Sequence, residues 1–189
     1  MKRLLVLFAA LLLQGCGTVH NTMRDGAEER VMLRGNDPLS YFSGAKPLRG
    51  DAALQSVYDG DVYRFASEAN KRLFDASPRK YAPAWTGFCA SGVHYALKAA
   101  IGADVYMVYK ERLFMFGSEH SRANWLMDAD ENIRLGDAYW EKEIKDVPYR
   151  IQNGKRLLFK VAHYKTDREL DAEHLRRFGK LPPGAPPPR

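Results

Sequence analysis

The chain has 189 residues, is 46% hydrophobic and carries a formal net charge of +6. This length is enough for one domain with its own hydrophobic core, and the modest positive charge does not indicate a nucleic-acid partner. The sequence contains no glycine-rich phosphate loop, no paired metal-ligand motif and no nucleophile elbow. We therefore do not expect an enzyme.

The first sixteen residues predict export and lipid modification. Lys2 and Arg3 precede an unbroken apolar run over residues 4–13. That run is about half as long as a bilayer-spanning helix requires, so residues 1–15 are predicted to be a signal peptide. The sequence "LQGC" that ends at Cys16 resembles the bacterial lipobox, which implies cleavage before Cys16, acylation of its thiol and a stable membrane anchor. The alternative is an ordinary secretory signal, but no small-residue cleavage site ends the apolar run.

The resemblance to bacterial lipoproteins also implies a location. Gly17 follows the modified cysteine, and in those lipoproteins a residue other than Asp at this position implies the outer membrane, with the protein facing the periplasm. If Cys16 carries lipid, Cys89 has no partner within the chain. In an oxidising envelope, such a cysteine is buried, metal-bound, reactive or paired with another chain.

The segment after Cys16 is predicted to be a tether. Residues 16–35 are polar and charged without a clear period, which favours an irregular link between the membrane and a domain that begins at Asn36. A β-hairpin follows, because Asp59-Gly60 supplies the positive φ angles of a type I′ turn between aromatic and β-branched segments.

Capping signals predict the helices of the domain. Ser67 is a suitable N-cap for a helix that Pro78 stops near Ser77. A second hairpin is predicted with strands near residues 105–109 and 113–116. Two helical segments follow it, the first capped by Ser118 and the second weakened by Gly136.

The last part of the chain looks like an addition to the domain. Asn153-Gly154 is a strong signal for a third hairpin. Thr166 and Glu169 match a capping box, which predicts a helix that Gly179 ends. The last residues, 182–189, are proline-rich and predict an extended polyproline tail.

Three stretches of the sequence together resemble the YHS domain, most closely the YHS domain of bacterial envelope proteins. They are "NDPLSYFSGAKP", "YDGDVYRFASEANKRLFDASPRKYAP" and "GFCA", which agree in spacing with that pattern over residues 36–90. The resemblance implies an α+β fold of short antiparallel hairpins packed with helices over residues 36–146. Residues 147–181 form a predicted hairpin-helix extension that the resemblance does not cover.

Better-understood YHS domains are small metal-associated modules with three cysteines. Soft thiolates at that spacing suit copper, zinc and similar ions. Carried over to this sequence, the three cysteine positions are Ser40, Ala66 and Asn70. The resemblance therefore implies the fold but not the thiolate metal site.

Cys89 and His94 are the remaining candidate metal ligands. Free cysteine is among the most buried residue types, so a core thiol is the simpler interpretation of Cys89. The functional interpretation is a transition-metal ligand or a redox thiol, with His94 or His120 nearby. His94 lies five residues after Cys89, which does not place both on one helix face as well as three or four residues would.

The other candidates have simple structural explanations. His120, His163 and His174 fall on three different predicted elements, so the sequence does not bring them together, and each is predicted to be a surface or edge histidine and not a metal ligand. The aromatic residues either form the core or line a ligand groove. Basic residues on the last helix favour either a solvated face or contact with anionic headgroups or a partner; they are Arg168, Arg176, Arg177 and Lys180.

Three functions follow from these observations. The first is a non-enzymatic, lipid-anchored envelope protein whose YHS-type domain binds a metal ion or a small ligand. The second is an interaction or scaffold protein that has lost the metal site and whose basic extension contacts another envelope component. The third, less supported, is a thiol-redox role through Cys89.

Overall fold

The computed structural model describes residues 21–186. It is a mixed α+β structure with a four-stranded sheet and a two-stranded sheet, which confirms the predicted fold class. Cys16 and the predicted signal peptide lie outside the described residues. Over residues 21–186, no helix combines the length and the apolar character needed to cross a bilayer.

The larger sheet has strand order β1-β2-β4-β3; its strands are β1 (Thr22–Asp25), β2 (Glu28–Met32), β3 (Asp51–Tyr58) and β4 (Asp61–Phe65). β3 and β4 form the predicted hairpin, and Asp59 and Gly60 take φ angles of 52° and 77° at its turn. β4 lies between β3 and the parallel strand β2. All five of its residues are buried.

The prediction of an irregular tether over residues 16–35 is wrong for residues 22–32, which form β1 and β2. Val31, Met32 and Leu33 have no exposed surface, and Val31 pairs with Val62 of β4. Charged residues flank these three apolar residues on both sides, so the sequence does not show a clear strand pattern there. The chain is thus fixed from its first described residue, where the Asn21 side chain donates a 2.6 Å hydrogen bond to the Thr86 carbonyl.

Short helices connect the two sheets: α1 (Glu68–Ala76), α2 (Pro78–Tyr81) and α3 (Ala90–Val93). Ser67 caps α1 as predicted, accepting a hydrogen bond from the backbone of Asn70. The second hairpin is confirmed as β5 (Gly102–Tyr109) and β6 (Arg112–Phe116). Cys89 joins it through a bridge to Met115, which places the start of α3 against β6.

Two helices follow this hairpin, as predicted: α4 (Glu119–Leu126) and α5 (Ala129–Tyr139), with a π-helical turn at Trp140–Ile144. Ser118 caps α4. Gly136 lies inside α5 because a Cβ at this position would come within 2.5 Å of Cζ2 of the Trp85 indole. The helix therefore tolerates this glycine so that the Trp85 ring can pack directly on its backbone.

The hairpin predicted around Asn153-Gly154 is wrong, because these residues lie inside a helix, α6 (Tyr149–Leu158). The Asn153 amide donates to the Lys98 carbonyl and accepts from the Lys98 N–H, each at 2.9 Å. Gln152 is buried and donates to the Ala96 carbonyl at 2.7 Å. These tertiary hydrogen bonds outweigh the local preference of Asn-Gly for a turn.

The last helix, α7 (Asp167–Phe178), begins with the predicted Thr166 capping box and ends at Gly179, whose φ is 71°. It docks on α4, where one oxygen of Asp171 lies 2.6 Å from His120 Nε2. The prediction of an extended tail is wrong for its first residues, because the Ala185 N–H donates a hydrogen bond to the Pro182 carbonyl in a turn.

Candidate functional site

The three positions where the YHS resemblance implies thiolates all hydrogen-bond to one buried residue, Asp37. Its Oδ2 accepts hydrogen bonds from the Ala66 N–H at 2.8 Å and the Asn70 amide at 2.7 Å. The Ser40 hydroxyl donates to the Asp37 carbonyl at 2.6 Å and accepts from the Leu48 N–H. Asp37 has no exposed surface, so these hydrogen bonds take the place of water around its carboxylate.

This network does not fit the metal that the YHS resemblance implies. Ala66 has no ligating atom, and the Asn70 amide nitrogen is a donor already committed to Asp37. The Ser40 hydroxyl is also committed at both its donor and acceptor sides. The fold thus brings the three positions together, but hydrogen bonds occupy the place where soft thiolates would ligate.

Cys89 is a buried thiol with 4% of its surface exposed. Its Sγ accepts a hydrogen bond from the Gly117 N–H at 3.3 Å and lies 3.1 Å from the Ser91 hydroxyl. The thiol therefore sits in a close-packed seam between α3 and β6. Of the two interpretations of this cysteine, burial in the core is the one that its surroundings match.

His94 lies directly after α3 and is 5% exposed. Its Nδ1 is 3.2 Å from the Ala90 carbonyl oxygen, which can only accept, so Nδ1 carries the proton and Nε2 presents a lone pair. Burial lowers the pKa of His94 to about 4. The ring is therefore a neutral hydrogen-bond acceptor at Nε2 near neutral pH.

Cys89 and His94 share no polar partner in this structure. Their polar contacts go to different groups, namely Ala90 for the ring and Gly117 and Ser91 for the thiol. Within residues 21–186, no three or more His, Cys, Asp or Glu side chains are grouped to hold a metal ion.

The structure brings His94 together with His163 of the C-terminal extension. The Nε2 atom of His163 lies 2.8 Å from the His94 carbonyl oxygen, and the two ring centroids are 6.3 Å apart. Tyr95 and Tyr139 stack on His163 at 5.6 and 5.9 Å. Because the carbonyl only accepts, Nε2 of His163 carries a proton.

A cavity of about 390 Å³ opens beside these two rings. We call it the histidine cavity; its lining includes His94, Tyr95, Asn124, Trp125, His163 and Tyr164. Helices α4 and α5 form one side, and residues 163–170 of the extension form the other. The extension therefore completes the cavity. Its volume is within the range of small-molecule sites.

Two buried polar atoms of cavity-lining residues lack a hydrogen-bond partner. They are Oδ1 of Asn124 and Nε1 of Trp125. Such atoms cost free energy when left unpaired, and functional sites are one place where they persist. The Asn124 amide nitrogen, by contrast, donates to Asp171 at 3.0 Å, so this side chain is fixed in orientation.

The other two histidines within residues 21–186 hold elements together. His120 contacts Asp171, as described above, and Nδ1 of His174 lies 2.9 Å from the Lys180 carbonyl oxygen. His174 is buried, although a surface or edge position was predicted for it. Most of the aromatic residues belong to the core or pack against it, which agrees with the interpretation of them as core residues.

The sequence did not reveal the histidine cavity, because its two histidines, His94 and His163, are 69 residues apart in the chain. The hairpin predicted over residues 149–164 also placed His163 on the wrong element. One local signal existed: His163-Tyr164 repeats the His94-Tyr95 dipeptide. Adjacent polar aromatic residues in two separate segments are common at binding sites, but only the fold pairs them.

Comparison with known proteins found one family match, to the YHS domain, over residues 40–85. No match was found among curated proteins or among solved structures. The matched stretch includes Ser40, Ala66 and Asn70 but ends before Cys89 and His94, so the histidine cavity lies largely beyond it. The chain thus contains a YHS domain, whose cysteine positions are occupied by Ser40, Ala66 and Asn70.

Proposed function

We propose that this chain is a non-enzymatic, lipid-anchored protein of the bacterial cell envelope that binds a small polar ligand beside its YHS domain. The anchor rests on the sequence alone, on the apolar run over residues 4–13 and the lipobox-like "LQGC" that ends at Cys16. Gly17 supports the outer membrane as the location, with the domain in the periplasm.

The observation that carries ligand binding is the histidine cavity. It is concave, has the volume of a small-molecule site and is built from aromatic rings with a few convergent polar groups. Both histidines that line it place one ring nitrogen against a backbone carbonyl, which fixes a proton on that nitrogen. Such fixed tautomers are typical of sites that select a ligand by its hydrogen bonds.

The lining favours a ligand that carries hydrogen-bond donors. His94 presents an acceptor nitrogen, and Asp167 adds a carboxylate to the lining. The other two carboxylates in the lining are paired, Asp128 with Arg177 and Glu131 with Arg134. Lys165 is a cation in the lining, and it is paired with Glu173 at 2.5 Å. A small molecule with hydroxyl or amino groups and a face that stacks on tyrosine fits this chemistry better than an anion.

A variant at position 163 tests ligand binding. His163→Phe keeps a ring between Tyr95 and Tyr139 but removes both nitrogens. Full chain purified gently from its native envelope should show an added small-molecule mass by native mass spectrometry, and His163→Phe should lose it or retain at most about a tenth. Tyr106→Phe is the control, because its hydroxyl bonds only to the distant Ala45 carbonyl in this structure.

Absence of an added mass would count against ligand binding if a second assay agreed. That assay measures the melting temperature of wild type with hydroxyl- and amine-bearing probes such as glycerol, putrescine and glucosamine. No shift with any probe, and no difference between wild type and His163→Phe, would overturn the ligand proposal.

The anchor is tested separately by labelling with radioactive palmitate in a bacterial host. Wild type should incorporate label and fractionate with the outer membrane, whereas Cys16→Ser should not incorporate it. Equal labelling of both chains, or none in wild type, would contradict acylation at Cys16. A chain that is unlabelled but still exported would instead support the ordinary secretory signal.

A second candidate function is that of an interaction or scaffold protein. It is favoured by the hydrogen bonds that occupy the YHS metal positions and by exposed apolar residues on α6 and at its end. A scaffold would keep its function in His163→Phe and lose it when those exposed residues are changed. The two candidates therefore predict opposite outcomes for the same pair of variants.

A further inference from the structure

Helix α6 has its apolar residues on the outside. The exposed fractions are 63% for Ile151, 79% for Leu157, 75% for Leu158 and 68% for Phe159. We call these four residues the α6 patch. Single exposed hydrophobic residues are ordinary, but a group within one short helix and its end marks an interaction surface.

The buried side of α6 is polar, which is the reverse of an ordinary surface helix. Gln152 is 1% exposed and bonds to the Ala96 carbonyl, and Asn153 bonds to both backbone groups of Lys98. These bonds fix the rotation of the helix about its axis. The apolar residues of α6 therefore point away from the protein because the hydrogen bonds of its polar residues fix the helix in this orientation.

The charged residues close to the α6 patch in the sequence are all positive. Between Val147 and Lys165 the sequence has five lysines and arginines and no Asp or Glu. Lys155 and Arg156 pair with Glu143 of the preceding π-helical turn, while Arg150 and Lys160 are exposed and contact neighbouring tyrosine rings. Apolar residues interleaved with cations are typical of helices that lie in a membrane interface.

The first described residue lies on the same side of the molecule as the start of α6. Asn21, the first described residue, and Tyr149, the first residue of α6, line the same cleft, together with Pro148. Even fully extended, the chain from Cys16 to Asn21 reaches no more than about 18 Å. A lipid on Cys16 would hold this face of the domain close to the bilayer.

We propose that the α6 patch binds the surface of an anionic phospholipid bilayer, as a second contact beside the lipid anchor. This inference rests on the proposed function for the anchor but not on ligand binding. The apolar side chains enter the interface while Arg150 and Lys160 meet anionic headgroups. Two membrane contacts fix the orientation of the domain, which one flexible anchor does not.

Hydrogen–deuterium exchange on the full chain in vesicles tests the proposal. The chain is reconstituted into vesicles of phosphatidylcholine alone or with phosphatidylglycerol added. Amides of residues 149–160 should exchange at least about fivefold more slowly in the anionic vesicles, and 0.5 M salt should remove part of that protection. The mass of the peptide that contains Cys16 reports acylation in the same digest, so failure of the anchor is read independently.

Two variants with matched surface changes separate binding from folding. Combined Leu157→Ser, Leu158→Ser and Phe159→Ser should abolish the protection, while Val57→Ser, on β3 and 71% exposed, should leave it intact. Equal exchange in both kinds of vesicle, or unchanged protection in the triple variant, would overturn the proposal. Protection in native envelopes but not in pure lipid would overturn it in favour of a protein partner.

Discussion

The side-chain amide of Asn70 donates a 2.7 Å hydrogen bond to the carboxylate of Asp37, which is fully buried. The same oxygen accepts the Ala66 N–H, and the other oxygen accepts the Leu39 N–H. One carboxylate thus connects the turn before β3 with the end of β4 and the start of α1. In this chain a hub of hydrogen bonds around Asp37 lies at the position where the resemblance to better-understood YHS domains implies thiolates and a metal ion.

Removing this hub should destabilise the fold strongly. In Asp37→Ala, the donors on Leu39, Ala66 and Asn70 lose their acceptor, and a hydrogen bond to a charged group contributes about 1.5–3 kcal/mol. We expect a loss of about 3 kcal/mol or more in the free energy of unfolding, measured by urea denaturation. Asp75→Ala is the control: its exposed carboxylate also has two side-chain partners, but it should cost less than about 1 kcal/mol.

Restoring the three thiolates should create a metal site. Ser40, Ala66 and Asn70 all lie around Asp37, so Ser40→Cys, Ala66→Cys and Asn70→Cys together place three soft ligands within reach of one ion. Elemental analysis should find roughly one equivalent of zinc or copper in the triple variant and none that depends on cysteine in wild type. Metal in wild type that disappears in Cys89→Ser would contradict this view of the site.

Local signals in the sequence predicted those elements whose geometry depends on a few neighbouring residues. The turn at Asp59-Gly60 and the caps at Ser67 and Thr166 are of this kind. They were correct because a turn or a cap satisfies its own hydrogen bonds locally.

Elements that depend on distant partners were not predicted. Strand β2 needs β4 to cover Val31, and helix α6 needs residues 96–98 to accept its polar face. The histidine cavity was missed for the same reason, because His94 and His163 are brought together only by the packing of α6 on the rest of the domain. The resemblance assigned the cysteine positions to Ser40, Ala66 and Asn70, but it gave no sign that all three hydrogen-bond to Asp37.

Two helix-interior glycines should respond in opposite directions to alanine. Gly136→Ala places a methyl group 2.5 Å from the Trp85 ring, and we expect it to lower the free energy of unfolding by about 2–3 kcal/mol. Gly154→Ala in α6 meets no atom within 4 Å. It should raise that free energy by about 0.5–1 kcal/mol through higher helix propensity.

This pair also distinguishes a helix from a hairpin at Asn153-Gly154. In a type I′ turn Gly154 would need a positive φ, and alanine there would destabilise the chain. Thermal unfolding followed by circular dichroism measures both variants under the same conditions. A lower melting temperature for Gly154→Ala would argue against α6 as described.

The thiol of Cys89 should react only after unfolding. Its Sγ is buried and hydrogen-bonded to the Gly117 N–H, so reagents reach it only when the α3–β6 seam opens. In a Cys16→Ser background Cys89 is the chain's remaining cysteine, and Ellman's reagent should label it about a hundredfold more slowly in buffer than in urea. Labelling at the rate of a free thiol in the native state would revive the redox role.

Acid should destabilise the protein through His94. Burial lowers its folded-state pKa to about 4, against 6.5 for an unperturbed histidine, so between these values the unfolded chain takes up a proton that the native ring resists. The stability linked to this group is fully present above pH 6.5 and is lost as the pH falls towards 4. Between pH 7.5 and pH 4.5 this loss should reach about 2.5 kcal/mol.

His94→Asn isolates the effect, because an asparagine amide can still donate to the Ala90 carbonyl but does not titrate. Urea denaturation at both pH values should show wild type losing more stability than the variant on acidification. Comparison with this variant is needed because Asp61 acts in the opposite direction: burial raises its pKa to about 6, so its contribution decreases as the pH rises through 6. An NMR titration that found the ring of His94 protonated at pH 6 would rule out a buried neutral histidine beside the cavity.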